Sequence, residues 1–346
     1  MQNLHLIKIL LLGSFSFLIA YIITPILTNF LYKHHLGKNI RSASSAPIYN
    51  KLHSAKTGTP TMGGVLIWGT VSLFLCFFWI CDRFFHIESV AFLNFLTRRE
   101  TLLPFGAFIG SALVGLIDDW LDVRKLGHQG RGLRFRFKIW LYLLVSAIGA
   151  YWFYFKLDFT LVKIPFLGSV DIGLWFIPFF ILMTTGISFA VNQSDGLDGL
   201  AGGLLLIAFA SYTVIAYTQA DYNLASLIAV VCGALLAFLW FNVYPARFFM
   251  GDTGSMGMGV LLATIAFLTN SVFLLVFFGF VFLLEAISTL LQLFWKKYLG
   301  RKLFFSSPLH HHFEALGWPE TKVTMRFWII AAVMSSLGLI IYFINL

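Results

Sequence analysis

Acidic side chains are costly beside hydrocarbon, so in a chain this apolar every carboxylate cluster asks for a ligand. Residues 192–200, Asn-Gln-Ser-Asp-Gly-Leu-Asp-Gly-Leu, lie between two apolar runs, 172–191 and 204–217. Asn192, Asp195 and Asp198 recur every three positions, so a helical turn sets all three on one side. Glycines at 196, 199, 202 and 203 let backbone come close to a ligand. An Asx-type turn between two spans is the competing reading. Asp118-Asp119, with Asp122 beyond, ends another apolar run. An Asp at the bilayer centre costs about 2.5–3.5 kcal/mol, and a helix C-terminus disfavours negative charge further. Paired carboxylates suit a hard cation such as Mg²⁺ that bridges phosphates, or one of them serves as a base. Pairing with Arg124 and Lys125 is the structural alternative. Asp252, within Phe-Phe-Met-Gly-Asp-Thr-Gly-Ser at 248–255, follows Asn242 and Tyr244-Pro245 and opens an apolar run. There ligand binding competes with helix N-capping.

Three further stretches carry polar chemistry. Lys56-Thr57-Gly58-Thr59-Pro60-Thr61-Met62-Gly63-Gly64 precedes a span, where lysine, hydroxyls and backbone N–H groups can hold a phosphate. An interfacial anchor explains the same residues, and neither the P-loop nor the dinucleotide fingerprint occurs. In Pro308-Leu309-His310-His311-His312-Phe313-Glu314, consecutive histidines point in different directions and do not all reach one ion. That argues against zinc and for donors to phosphate or ribose oxygens. Glu285 and Gln292 stand seven apart on one helix face, as a functional pair or as a polar tie between helices.

The elements that must position these groups are membrane helices. The 346 residues are 59% hydrophobic and 11% charged, against roughly 25% charged in soluble domains. Apolar stretches long enough for a bilayer fall at 4–31, 61–81, 101–121, 138–157, 172–192, 199–218, 222–244, 253–270, 271–295 and 324–345. The expected fold is an all-α polytopic membrane protein of about ten transmembrane helices, one integral membrane domain over 1–346. The first stretch reads as a retained span rather than a signal peptide. Residues 158–171 alternate as a small β-hairpin, and Gly106 with Gly110 makes a small-xxx-small packing pair. Cys76, Cys81 and Cys232 form neither a disulfide framework nor a metal motif.

Orientation follows from charge. Loops 33–56, 122–138, 193–198, 245–252 and 296–326 hold 18 of the 24 Lys and Arg, which makes them cytoplasmic and both termini periplasmic, with the hairpin also periplasmic. The net charge of +9 is spread over short loops with no basic domain for a duplex, so phosphorylated small molecules or lipid headgroups fit better than nucleic acid. Every polar cluster falls on the cytoplasmic side. Their convergence predicts one site for Mg²⁺-assisted transfer between a soluble phosphorylated substrate and a lipid phosphate.

The same stretches carry a resemblance. Residues 56–64, Asp118-Asp119, 192–200, 242–255 and 308–314, continuing through Gly317-Trp318-Pro319-Glu320 and Arg326-Phe327-Trp328, resemble the phospho-N-acetylmuramoyl-pentapeptide transferase family. This family lies within the polyprenyl-phosphate N-acetylhexosamine-1-phosphate transferase superfamily. The Pro-x-His-His-His-Phe-Glu block favours the muramoyl-pentapeptide branch over the N-acetylglucosamine branch. The resemblance implies transfer of phospho-MurNAc-pentapeptide from UDP-MurNAc-pentapeptide to undecaprenyl phosphate, giving lipid I and UMP. That is the first membrane step of peptidoglycan synthesis, and so of cell-wall biogenesis, cell shape and division. It implies a bacterial inner-membrane enzyme with its active site on the cytoplasmic face, Mg²⁺ dependence, homodimers and inhibition by uridine nucleoside antibiotics. By position, Asp252 is implied as the Mg²⁺ ligand. Asp118, itself a candidate metal ligand, is implied to deprotonate the lipid phosphate with Asp119 beside it. Leu197, Asp198 and Phe249 are implied to border the uracil. Lys56, Thr61, Arg136, Lys138, Asn192, Asp195, Gly196, Asn242, Gly251, Gln292 and His312 are implied to bind substrate, with His310 and His311 catalytic. Whether an Asp attacks covalently or only directs the lipid phosphate stays open.

Departures from the family pattern touch loop detail. Asp122 stands where lysine is usual, with Lys125 as a substitute in a longer loop reaching Arg131-Gly132-Leu133. Arg136 and Lys138 then fall on two basic positions of the family. Phe189 replaces Asn, and Gln193-Ser194 replaces Leu-Thr. Two other readings compete. Asp118-Asp119-x-x-Asp122 reads as the D-D-x-x-D of an intramembrane prenyltransferase, which needs no histidine run. An anion transporter would put ionisable groups near the midplane and show repeats, and none is found.

Overall fold

In hydrocarbon a backbone N–H has no partner but its own chain, so apolar runs of this length become helices. The computed structural model describes residues 2–37, 53–85, 92–127 and 132–346. Lys51 and Arg131 lie outside the described residues. The helices are α1 (Gln2–Lys33), α2 (Gly64–Ile80), α3 (Leu103–Val123), α4 (Phe135–Leu157), α5 (Phe176–Gln193), α6 (Leu200–Thr218), α7 (Tyr222–Asn242) and α8 (Gly251–Leu268), followed by the short α9 (Leu275–Phe278), α10 (Phe280–Tyr298), the short α11 (Leu309–Ala315) and α12 (Glu320–Ile344). Among the described residues nine helices are long and apolar enough to cross a membrane, or ten with the pair α9–α10 taken as one span. This is a multi-pass membrane protein.

Two expectations need correction. The span at 271–295 is not one straight helix, because α9 and α10 meet at an angle of 83°. The break falls at Gly279, whose N–H still bonds Leu275 O, while a Cβ there would stand 2.8 Å from that oxygen. The expected packing pair Gly106/Gly110 is also loose. A Cβ on Gly106 would meet nothing within 4 Å among the described residues, and one on Gly110 only Val145 at 3.9 Å. The close approach of α3 comes one turn later, at Gly115, where a Cβ would lie 2.4 Å from Asp252 O.

That contact organises the site. Helix α8 is buried along nearly its whole length, with small residues at Gly254, Ser255, Gly257 and Gly259 that admit its neighbours α3 and α5. Its first turn therefore sits at the centre of the molecule beside the end of α3. Antiparallel succession brings the ends of α3, α5, α7 and α10 to one face with the starts of α2, α4, α6, α8 and α12. At the opposite face β1 (Leu161–Ile164) and β2 (Gly168–Asp171) form the expected antiparallel hairpin. It is tied down by Lys163 N–H on Asn270 Oδ1 and by Lys163 Nζ on Asn345 O.

Candidate active site

The end of α3 presents two carboxylates with separate partners. Asp118 accepts Leu133 N–H at 2.7 Å on Oδ1 and Lys138 Nζ at 2.9 Å on Oδ2. The same ammonium reaches Asp252 Oδ2. Asp252 in turn accepts Asn192 Nδ2 at 2.8 Å on its other oxygen, and Asn192 also reaches Ser255 Oγ. One cation thus stands between two carboxylates delivered by α3 and α8. The cation comes from α4, not from Arg124 or Lys125. Asp119 points elsewhere: its two oxygens accept the N–H groups of Asp252 and Thr253 at 3.1 and 3.0 Å. Capping by Asp252 itself is thereby corrected, because the N-cap position is Met250 and no side chain of α8 fills it. A carboxylate from the neighbouring helix satisfies these donors instead.

The polar stretch between α5 and α6 turns Asn192 and its two acids, Asp195 and Asp198, toward the start of α8 and the chain leading into it. Asn192 bonds Asp252, Asp195 Oδ2 accepts Gly251 N–H at 3.2 Å, and Asp198 Oδ2 accepts Ala246 N–H at 3.0 Å. The expected helical turn does not carry all three: α5 ends at Gln193, so Asp195 and Asp198 lie on the turn that follows, where Asn192 and Asp195 meet the first turn of α8 and Asp198 meets the strap 243–250 that joins α7 to α8. Asn242 clamps that strap, accepting Gly199 N–H and donating to Phe248 O. Leu197 is buried beneath it.

Lys56 lies under the strap's aromatic rings, with Nζ 5.9 Å from the centre of Tyr244 and 5.8 Å from that of Phe249. It bonds Asp198 Oδ1 at 2.6 Å and Glu320 Oε1 at 2.5 Å, and Glu320 Oε1 also accepts Asp198 N–H. Burial alone would lower its pKa, but the charges of Glu320 and Asp198 outweigh that and hold it above the usual lysine value. Thr61 is buried next to Gly251.

The histidines divide by direction, as consecutive helical residues must. His310 is fully buried, its N–H on Glu285 Oε1 and its Nδ1 3.1 Å from Glu285 Oε2. A Cβ on Gly196 would stand 2.2 Å from its Nε2, so the ring lies against the 192–200 stretch. His311 bonds Glu314 Oε2 through Nδ1 at 2.7 Å. Burial, with His310 alongside, pushes the pKa of His311 down to about 3. Burial pushes Glu314 up, but hydrogen bonds from His311 and His53 more than reverse this and hold it at about 2. At neutral pH a neutral imidazole therefore faces a carboxylate. His312 turns away, its ring stacked on Phe305 and its Nδ1 accepting Phe305 N–H.

Several implied substrate residues fall outside this constellation. Gln292 holds the backbone of Leu303 and Phe304 through three hydrogen bonds. Arg136 is exposed, roughly 200° around α4 from Lys138. Phe189, one turn before Asn192, packs edge-on against Phe135 and Tyr142 beside Lys138. Other contacts escaped the sequence reading. Glu314 was legible, being three residues from His311 on one helix. His53 and Glu320 gave no spacing signal, since their partners lie hundreds of residues away; Glu285 facing His310 is another contact across elements.

Known proteins of one family resemble this chain. The glycosyl transferase family 4 model matches residues 101–270, and signature 1 of phospho-N-acetylmuramoyl-pentapeptide-transferase matches 56–67. The phospho-N-acetylmuramoyl-pentapeptide-transferase of Chloroflexus aggregans is 40% identical over 346 residues, covering 96% of this chain and 89% of its own. The namesake of Desulforapulum autotrophicum is 38% identical, covering 94% and 90%, and that of Anoxybacillus flavithermus 37%, covering 96% and 97%. With the signature on the Lys56 turn and relatives 37–40% identical over 94–96% of its length, the chain belongs to the phospho-N-acetylmuramoyl-pentapeptide-transferase family and is a phosphoglycosyl transferase.

Proposed function

We propose that the chain works as one integral membrane domain, 1–346, at the cytoplasmic face of the bacterial inner membrane. There it transfers phospho-MurNAc-pentapeptide from UDP-MurNAc-pentapeptide to undecaprenyl phosphate, giving lipid I and UMP, with Mg²⁺ as cofactor. The observation that carries this reading is the Lys138 ammonium held between Asp118 and Asp252. A position where two carboxylates already hold a positive charge fits a hard divalent cation, which takes oxygen ligands. Asp118 and Asp252 are the residues that would hold Mg²⁺, which when bound neutralises charge on the diphosphate.

The chain's own groups supply the rest. Asn192 fixes the orientation of Asp252, and Leu133 N–H fixes that of Asp118. Lys138 occupies one oxygen of each carboxylate while Leu133 N–H and Asn192 hold the other, so release of Lys138 opens one oriented oxygen on Asp118 and one on Asp252. Asp118 accepts the proton of the lipid phosphate. A lipid phosphate oxygen then attacks the β-phosphorus of the sugar nucleotide, and the bond from that phosphorus to the bridging oxygen breaks, so UMP leaves with the electron pair. Lys138, freed from the carboxylates, balances phosphate charge. Lys56, Phe249, Leu197 and Asp198 hold the uridine end, where uridine nucleoside antibiotics would compete. The enzyme is read as a homodimer by the same family likeness.

Purified protein with undecaprenyl phosphate, UDP-MurNAc-pentapeptide and Mg²⁺ should release UMP. Chelation should stop the release, Mg²⁺ should restore it, and UDP-GlcNAc should not serve as donor. Absence of UMP where a curated relative turns over would overturn the assignment.

A further inference from the structure

We propose that His53, His311 and Glu314 form a binding site for a divalent transition-metal ion, Zn²⁺ by preference, separate from the Asp118/Asp252 position. His53 Nε2 and His311 Nδ1 approach the same oxygen, Glu314 Oε2, at 3.1 and 2.7 Å. One ligand atom from each residue lies within 4.8 Å of the other two. Tetrahedral ligands at roughly 2.0–2.2 Å from zinc sit about 3.3–3.5 Å apart, so a small retreat of the two imidazoles from Glu314 Oε2 would admit an ion. The side chains of His53, His311 and Glu314 are 3%, 10% and 5% exposed, so the site is nearly dry.

The donor set decides the metal. Two imidazoles and one carboxylate suit Zn²⁺ and its neighbours, whereas Mg²⁺ takes oxygen donors. The argument against three consecutive histidines on one ion stands, because only His311 of the run takes part. The other imidazole arrives from residue 53, 261 positions before Glu314. Three protein ligands leave a fourth position for water. An ion here ties the start of the turn that carries Lys56 to α11, and so holds Lys56 under its aromatic rings. His310, whose ring lies 4.1 Å from that of His311, buttresses the ligand from the side of Glu285.

The test uses the full-length, tag-free protein in detergent after chelator treatment and dialysis. Titration with Zn²⁺ against a chromophoric chelator should show one tight equivalent per chain, and Co²⁺ should give the visible bands of tetrahedral coordination. His53→Ala and Glu314→Gln should each weaken Zn²⁺ binding by more than the roughly 10–100-fold that losing a ligand's hydrogen-bond partner costs. Asp252→Asn should leave it unchanged. His53→Cys should restore tight binding and add a thiolate-to-Co²⁺ charge-transfer band, which a merely hydrogen-bonded triad would not produce. A wild type that binds no more Zn²⁺ than His53→Ala, or octahedral Co²⁺ indifferent to all these variants, would overturn the site.

Discussion

Asp118 and Asp119 are adjacent, yet about 100° of helical rotation separates their partners. Asp118 meets an ammonium and a loop N–H, while Asp119 meets two N–H groups of the first turn of α8. Conservative amide substitutions should therefore separate them. Asp118→Asn is expected to cut kcat by orders of magnitude with the melting temperature retained, since its Oδ1 still accepts Leu133 N–H. Asp119→Asn removes a charged acceptor at a helix N-terminus, a loss of about 1–2 kcal/mol, so its melting temperature should fall measurably. Thermal unfolding in detergent beside the UMP assay reads both, and the reverse pattern would exchange the two roles. Glu320 offers a second case. Its Oε1 holds both Lys56 Nζ and Asp198 N–H, so Glu320→Gln should raise KM for the sugar nucleotide about tenfold, ~1.4 kcal/mol, with a smaller change in kcat. A loss confined to kcat would place Glu320 in the chemistry instead.

Helices meet where side chains are smallest, and the α3–α8 contact at Gly115 sets the distance between Asp118 and Asp252. A methyl group there collides with the backbone of Asp252 and Thr253 rather than with a movable side chain. Gly115→Ala should cost about 1–3 kcal/mol in overpacking and depress turnover with it. Gly106→Ala on the same helix should do neither, because nothing stands within 4 Å of its added Cβ. Equal effects of the two, checked by melting and UMP release, would remove Gly115 as the spacer. The contrast also shows what a sequence can disclose. Span number and place were legible because hydrocarbon thickness sets the length of an apolar run. The polar stretch 192–198 was legible as a cluster, but its helical face was not: Asp195 and Asp198 are delivered by the turn after α5, which ends at Gln193. Gly115 was passed over for Gly106 and Gly110, because a small-xxx-small spacing says that helices can approach and not which glycine faces a neighbour. His53 and the partners of Glu320, itself within the stretches that carry the resemblance, were illegible for the same reason. Each answers to a partner across the fold, and no local period records it.

At the scale of the molecule, polar groups from α3, α4, α5, α8 and α12 lie on one face and the hairpin on the other. In the sequence, the five segments that connect helices at the site face hold 18 of the 24 Lys and Arg. Such an excess of Lys and Arg in short loops is the pattern of cytoplasmic loops, and it is the ground on which the proposed orientation rests. It also concentrates positive charge where an anionic nucleotide must arrive. The proposed reaction requires that face to be cytoplasmic, because its UDP-linked donor is soluble and charged and does not cross the bilayer. In a background with Cys76, Cys81 and Cys232 replaced by Ser, Leu167→Cys in the exposed hairpin turn should react with a membrane-impermeant maleimide on intact spheroplasts. Lys302→Cys, in the exposed loop after α10, should react only after permeabilisation. Alkaline phosphatase fused after Leu346 should be active, since ten spans, with α9–α10 taken as one, return the C-terminus to the side of the N-terminus, which the proposed orientation makes periplasmic. Labelling of Lys302→Cys from outside, with Leu167→Cys protected, would put the carboxylate pair on the wrong side of the membrane for a cytosolic nucleotide and end the proposed reaction.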